Sequence, residues 1–524
     1  MVLFAGPAVQ SRLPVERPEE TAVTLMASQI FRTKTLDAIL SDGESPQHRL
    51  NRALTAFDVL MLGIGAIVGA GIFATIGTAA AGDATRPGAG PALVLSFVLT
   101  GVACGFAALC YAEFAAMVPI SGSAYTYAYA TLGELVAWII GWDLIIEYAV
   151  GNVAVAISWG NYFKTLVSGF GIMIPDWLST DYRTALRIPG LLDNAPHLFG
   201  IPIVFNVLAL AIVALITIIL VVGVRASATT NSAMVVLKLV VLAFFVFVGS
   251  SYVRGANFRP FAPNGWAGVQ AGAAIVFFAY IGFDAVSTVA EETRDPARDL
   301  PIGIIGSLVI CTIIYVIVAL IFTGIIPYDV LRQKLATEQA EPLTMALQYA
   351  NIQRWGNLIV GIVAFGSVVA HTAVLLVFQL GQPRIFFSMA RDGLLPTSFA
   401  KVHPKFRTPH VTTILTGVAV GVCAMFTSID EMVDLTNIGT LFAFALVCTG
   451  VLILRKREPE RPRAFRTPWV PVVPILGIGS CFYLMLGLPW ITWIRFGLWL
   501  VVGLVVYFAF GYRRSRLAQT RSLV

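Results

Sequence analysis

Residues 55–78, TAFDVLMLGIGAIVGAGIFATIGT, form an apolar run long enough to cross a bilayer, which takes about 20 residues. Within that run, Gly63 to Gly71 holds four glycines in nine positions. Each glycine costs a helix about 1 kcal/mol relative to alanine. A helix opened in hydrocarbon also leaves backbone polar groups unpaired, so an opening must face protein or a polar cavity. Where such a helix restarts, it offers free N–H groups and a positive dipole end, which suit an anionic group such as a carboxylate. The other reading is a glycine seam that lets two helices approach closely. The run by itself leaves both open.

The remaining residues share its preference for an apolar solvent. Of 524 residues, 57% are hydrophobic and 12% are charged. Soluble domains carry about 25% charged residues, so the chain reads as an all-α polytopic membrane protein with one membrane domain. The net charge of +6 then says little about nucleic acid, and no nucleic-acid partner is expected. Six cysteines (Cys104, Cys110, Cys311, Cys423, Cys448, Cys481) all fall inside apolar runs, where packing is their expected role. No CxxC or His/Cys cluster suggests a metal, and no cofactor is implied. The first 50 residues are polar, with no signal-peptide core, and read as a cytoplasmic tail, partly disordered.

Apolar spans are expected at 55–80, 90–117, 132–163, 201–222, 229–250, 268–290, 303–326, 356–389, 411–427, 433–454, 471–488 and 490–511. About 12 transmembrane helices put both termini on one side. With the N-terminus inside, 24 of the 35 lysines and arginines fall in tails and cytoplasmic loops, most densely in RKREPERPRAFR (455–466) and RRSR (513–516). That asymmetry favours cytoplasmic termini and a multi-pass protein of the inner (cytoplasmic) membrane. Spans three and eight exceed the hydrocarbon thickness, so tilt or projection into the cytoplasm is expected. Counting five helices on from the glycine-rich one reaches FFAYIGFDAVSTVAEE (277–292), with Gly282 near its middle and Asp284 at depth. Transporters are often built from two five-helix repeats of opposite orientation, each opening with a discontinuous helix.

GIGAIVGAGIF (63–73), CYAEFAAMVPISGSAYTYAYATLGE (110–134), FFAYIGFDAVSTVAEE and VDLTNIGTLFAF (433–444) resemble the amino acid–polyamine–organocation superfamily. More closely, they look like the shorter, prokaryotic form of its cationic amino acid transporter family. The resemblance spans about 50–510 and implies a LeuT-like five-plus-five inverted repeat with discontinuous first and sixth helices. The chain then divides into a tail (1–50), a first repeat (51–250), a second repeat (265–455), two further spans (470–511) and a C-terminal tail (512–524). The implied activity is uptake of L-amino acids, cationic or small neutral, by alternating access, with protons and membrane lipids as the other partners. The light chains of this superfamily carry a cysteine between spans three and four. Residues 164–200 have none, so no disulfide-linked heavy chain is expected.

The resemblance also implies a site. Beside Ile67, the amides around Gly69, Ala70 and Gly71 would hold the substrate carboxylate. Many relatives have Thr or Ser where this chain has Ala70. Carbonyls of Phe278, Ala279 and Ile281 would accept the ammonium, and the ring of Phe283 would cover the substrate; ordinary aromatic packing is the alternative for Phe278 and Phe283. Lys238, in SAMVVLKLVVLAFF, lies too deep to snorkel easily. Relatives place a lysine at the matching fifth-helix position, where sodium-coupled cousins hold an ion. An amine taken out of water gives up its proton more readily. Lys238 is therefore either a proton-responsive switch or a fixed cross-link to broken-helix carbonyls.

Glu147 and Asp143, in WDLIIEYAVGN (142–152), are four apart and share a helix face. Glu147 is expected to meet a cationic side chain or, through water, a smaller substrate; pairing with another protein group is the alternative. Asp143 and Trp142 read as structural. Glu113 and Tyr111, and the charges at 291–299, read either as inner-gate ion pairs or as solvated helix ends. His371 reads as a satisfied core residue rather than a proton relay, and Asn437 and Thr440 as cavity-lining candidates.

No GxSxG, HExxH or Walker sequence occurs, which argues against a membrane enzyme or an ATP-driven pump. An exchanger of amino acids or polyamines, and a non-transporting sensor of the same fold, remain the alternatives.

Overall fold

The computed structural model describes residues 30–34, 36, 52–120, 123–223, 228–337, 341–352, 355–406 and 408–519. Apart from 30–34 and 36, the expected N-terminal tail lies outside these residues, as does the end of the C-terminal tail (520–524). Helix α1 (Ala56–Ala81) starts at a capping box. The Thr55 amide donates to Asp58 Oδ2 at 2.9 Å, and the Asp58 amide donates to Thr55 Oγ1 at 3.4 Å. The α-helix runs only from Ala56 to Ile67. Val68 leaves it in extended geometry, and the chain resumes as a π-helical turn, Gly71–Thr75, and a last α-helical stretch, Ile76–Ala81. Both glycine readings therefore have substance. Gly71 belongs to the break. Gly63 belongs to a seam, where an added Cβ would stand 2.6 Å from Ser307 Oγ.

The remaining principal helices are α2 (Leu93–Met117), α3 (Glu134–Ser168), α4 (Val207–Val222), α5 (Ala228–Ser250), α6 (Gly265–Glu292), α7 (Pro296–Ile325), α8 (Gly356–Arg391), α9 (His410–Phe426), α10 (Ile429–Arg457), α11 (Val472–Met485) and α12 (Trp490–Val506). Among the described residues, nine helices are long and apolar enough to cross a membrane, and α4, α9 and α11 are shorter apolar helices. Helix α7 begins earlier than its apolar run because its first turn carries Arg298 and Asp299.

Burial ranks the helices from centre to rim. The most apolar stretch of α6 is 94% buried and that of α1 is 83% buried, against 22% for the last span. Helix α7 lies along α2 and α1, α8 along the second half of α3, α4 against α9, and α5 against both α8 and α1. Of the cysteines, Cys423 departs from the expected packing role. It is exposed, on the outer face of α9 beside exposed Val422 and Phe426, whereas the other five are buried.

Both ends of the described chain meet one face of the bundle. Arg32 O accepts from the Glu134 amide at the start of α3, the Leu54 amide donates to Glu292 O at the end of α6, and the Arg516 amide donates to Asp392 O at the end of α8. Described residues of the connections after α1, α3 and α7, among them Asp83, Arg187 and Arg332, meet at the opposite face. The second of these connections carries a two-stranded hairpin pairing His197–Leu198 with Ile201–Pro202.

Candidate functional site

The opened turn of α1 exposes carbonyls that α5 and α7 satisfy. Lys238 Nζ donates to Gly65 O at 2.7 Å and to Val68 O at 3.0 Å, with no solvent exposure. Tyr315 Oη donates to Ile67 O at 2.9 Å. Beyond the break, the restarting segment presents its first amides, around Gly69, Ala70 and Gly71, without intrahelical acceptors. Its own carbonyls are held: Gly71 O accepts from Thr75 Oγ1 at 2.6 Å, and Phe73 O accepts from Tyr162 Oη at 2.7 Å.

Helix α6 is broken at the same place in the bundle. Its α-helical part, Gly265–Val276, ends in a 3₁₀ turn, Phe277–Ala279, and resumes as a 3₁₀ run, Asp284–Glu292. Gly282 between them takes φ +123°, and a Cβ there would stand 2.8 Å from the Ala66 carbonyl. Only glycine suits both conditions. The loose carbonyls, Ala274 O and Ile275 O, accept from Asn437 Nδ2 at 2.8 and 3.3 Å. The two breaks touch: a Cβ on Gly71 would stand 2.1 Å from Ala279 Cα. The first-helix residues and Ala279 therefore come together. Phe283 sits against Tyr111 and Phe444, with ring centroids 5.9 and 4.9 Å away. Ile67, Phe278 and Ile281 are buried nearby.

Glu147 lies in a π-helical turn of α3, Ile146–Val150, a distortion often found at functional positions. It is buried and close enough to Asp284 of α6 and to Asp143 to interact with both. Sequence reasoning missed the Glu147–Asp284 approach and took Asp143 as structural. Among the described residues, Glu147 Oε2, Asp284 Oδ2, both Asp143 oxygens and the hydroxyls of Tyr111, Tyr148 and Thr440 have no hydrogen-bond partner. Buried polar atoms are rarely left so, and this group is equipped to take a polar ligand or water. Trp142 is structural as expected: its Nε1 donates to Trp499 O at 2.9 Å and the two rings stack.

Glu113 is not a solvated helix end. It is buried, with Arg455 Nε at 2.8 Å, Arg463 Nε at 3.1 Å and the Thr467 amide donating at 2.8 Å. Of the loop charges, Arg294 Nε donates to Ala53 O at 3.0 Å, which ties the end of α6 to the start of α1. His371 is a satisfied core residue. Its Nδ1 faces Ser367 O at 2.6 Å and its Nε2 faces Ser158 Oγ at 2.7 Å.

On the face away from the chain ends, a cavity of about 380 Å³ opens between the ends of α1, α3 and α10 and the connections around 181–188 and 332–342. Asp83, on its wall, bonds Arg86 at 2.6 Å, and Arg86 in turn bonds Asp434 at 2.7 Å beside a smaller neighbouring cavity of about 20 Å³. Burial pushes the Asp83 carboxyl up, but Arg86 and the Thr85 bonds outweigh it and hold it below the usual carboxylate range. Glu341, whose Oε2 accepts from Thr165 Oγ1 at 2.7 Å, is pushed by burial up to about 7 against the opposing pull of Thr165 and Lys164. The folded chain thus holds this proton more tightly than an unfolded chain, whose glutamates titrate near about 4.3. The linked stability is full below the unfolded value and is lost as pH rises through about 7. Thermal unfolding from about pH 5 to pH 8 should show wild type losing ground to Glu341→Gln as pH rises; parallel curves would remove the linkage.

The sequence pattern of the amino acid permease family matches residues 54–510. The chain is 46% identical over 494 residues to the branched-chain amino acid permease BcaP of Bacillus subtilis, covering 94% of this chain and 100% of that protein. It is 43% identical over 490 residues to the methylthioribose transporter of the same organism, covering 94% of this chain and 99% of that one. It is 35% identical over 444 residues to the vacuolar cationic amino acid transporter 4 of Arabidopsis thaliana, covering 83% of this chain and 68% of that one.

Proposed function

The chain belongs to the amino acid permease family, within the amino acid–polyamine–organocation superfamily, and is a multi-pass membrane transporter rather than an enzyme; on that premise we propose that it carries L-amino acids by alternating access about the apposed breaks of α1 and α6. The observation that carries this reading is the contact of Gly71 with Ala279. It sets the restarting amides of one broken helix, which suit a carboxylate, against the loosened carbonyls of the other, which suit an ammonium. Ile67, Gly69, Ala70, Gly71, Phe278, Ala279 and Ile281 frame the amino acid backbone, and Phe283 covers it.

A five-plus-five inverted repeat is supported by the capping pattern. Lys238 caps carbonyls 173 and 170 residues before it in α1, and Asn437 caps carbonyls 163 and 162 residues before it in α6. In each case the fifth helix of a set closes the break in the first. The twelve principal helices then act as spans, with both termini cytoplasmic, in the order 51–250, 265–455 and 470–511. Apolar side chains frame the site, and the BcaP relative carries branched-chain amino acids by name, so neutral substrates fit it. Glu147, open beside Asp284, extends the range to arginine and lysine. Lys238 couples uptake to protons by releasing the α1 carbonyls.

A second reading, a neutral solute without the amino acid backbone, draws on the methylthioribose relative alone. Uptake of leucine, arginine, alanine, glutamate and methylthioribose into proteoliposomes, with and without an inward proton gradient, separates these readings. Gradient-stimulated leucine or arginine uptake supports proton symport. Uptake only against preloaded amino acid makes the protein an exchanger, and methylthioribose alone supports the second reading. Glu147→Gln is expected to lower arginine uptake about tenfold, or ~1.4 kcal/mol, with leucine uptake much less affected. Equal losses would make Glu147 structural.

A further inference from the structure

The end of α10 and the loop leading to α11 carry more positive charge than their partners neutralise. Residues 455–466 together with Glu113 hold six cations against three carboxylates. Glu113 is taken by Arg455 and Arg463, and Glu458 is taken by Arg461 at 2.9 Å. Glu460, the third carboxylate, is exposed on the same loop. Lys456 and Arg466 are exposed and have no ion pair among the described residues. Arg457 is also exposed and donates to Thr131 O at 3.1 Å. Just beyond Thr131, Glu134 is occupied by the hydroxyls of Tyr129 and Tyr507. Burial, then the charge of Arg455, loosen the Arg463 proton against the pull of Glu113, and Arg466 adds to the repulsion. An anion beside Arg466 would relieve that repulsion.

A second observation sets the surplus at the membrane boundary. The Thr467 amide donates to Glu113 Oε2 at 2.8 Å and its hydroxyl donates to Leu109 O at 3.0 Å, which pins the loop to the end of α2. Two residues on, Trp469 is 82% exposed and holds φ +48°, a left-handed backbone that a bulky side chain seldom adopts. Helix α11 then starts at Val472, with Val472, Ile475 and Leu476 exposed on its outer side. Such a side faces acyl chains, and tryptophans gather where the headgroups begin. We propose that this loop is a docking site for the headgroup of an anionic phospholipid. Arg466 takes the phosphate, Lys456 and Arg457 add to the field that holds it, and the Trp469 ring lies against the start of the acyl chains. A guanidinium offers paired N–H groups that match phosphate oxygens, and basic residues beside a span attract anionic lipid of the cytoplasmic leaflet. A free phosphate would meet the same cations but gain nothing from the ring or from the outer side of α11. The bound lipid steadies the corner where α2, α10 and α11 meet, whichever solute the central breaks carry.

The test is quenching of tryptophan emission in the purified full-length chain, reconstituted with brominated phosphatidylglycerol or brominated phosphatidylcholine in otherwise equal bilayers. The Trp469 signal is the difference between wild type and Trp469→Phe. Phosphatidylglycerol should quench it at about a tenfold lower lipid fraction than phosphatidylcholine. Lys456→Gln/Arg466→Gln should abolish that preference. Arg513→Gln/Arg514→Gln removes the same charge from exposed positions after α12 and should keep it. Soluble glycerophosphoglycerol in excess should not relieve the quenching. Equal quenching by the two lipids in wild type would overturn the site, and that comparison stands whatever a variant does to folding. A preference that survives Lys456→Gln/Arg466→Gln would overturn it as well. So would an equal loss in both double variants, which would make the attraction one of general surface charge. Relief by the soluble headgroup would overturn the lipid in favour of a free phosphate.

Discussion

Replacing Lys238 with alanine is expected to reduce gradient-driven uptake at least about 100-fold, equivalent to ~2.7 kcal/mol of lost stabilisation. The ammonium donates to two carbonyls in the opened turn of α1, Gly65 O and Val68 O, in a place with no solvent. Removing a partner leaves each buried acceptor unsatisfied at about 1–3 kcal/mol. The break then has two routes to relief. It re-forms helix, which withdraws the amides at Gly69–Gly71, or it admits water, which loosens the contact with α6. Lys238→Met separates the donor from the volume: it keeps a long apolar stem and should fail as alanine does. Uptake from an outward amino acid preload distinguishes switch from cross-link. A proton-responsive lysine predicts that whatever exchange remains in the variants no longer responds to the gradient. A variant whose uptake still follows pH as wild type does would leave Lys238 a fixed link.

The course of α1 was legible because glycine density is a local signal: Gly63 to Gly71 announce both the opening and the seam. The break in α6 was legible by counting helices, since a five-plus-five repeat would put a second discontinuity there. What closes the breaks was not. Lys238 stood out because a charge in an apolar run is conspicuous, but Asn437 and Tyr315 are ordinary in composition, and their partners lie 162–163 and 248 residues away. Asp143 was taken as structural from its distance along α3. Distance along a helix does not report which neighbours surround a side chain, and here both carboxylate oxygens lack a partner among the described residues. The π-helical turn that carries Glu147 shifts the register of α3 without any marker residue. Cys423 went astray for the converse reason, since an apolar run in a membrane protein serves lipid-facing and buried positions alike. The Arg86–Asp434 pair was invisible because its partners are 348 residues apart.

Gly71→Ala is expected to abolish transport, and the neighbouring Gly69→Ala gives the contrast that identifies the cause. An alanine Cβ at 71 would stand 2.1 Å from Ala279 Cα and 2.6 Å from its amide nitrogen. Those atoms are backbone, so no rotamer change relieves the clash, and the two breaks must separate. Overpacking of a buried contact costs about 1–3 kcal/mol where side chains can adjust, and this one lies at or beyond the upper end. At 69 the nearest atom is Val374 Cγ2, at 2.5 Å, with Val374 Cβ at 3.4 Å. Truncating Val374 to alanine removes the offending methyl and leaves a tolerable contact. Gly69→Ala/Val374→Ala should therefore recover most of the uptake lost in Gly69→Ala. Gly71→Ala/Ala279→Gly should recover none, because the backbone of residue 279 remains in the way. Uptake and thermal unfolding of the four variants decide the matter together. Rescue at 71 by Ala279→Gly would mean that the breaks are held apart by more than the structure describes, and the apposition that underlies substrate binding would have to be abandoned.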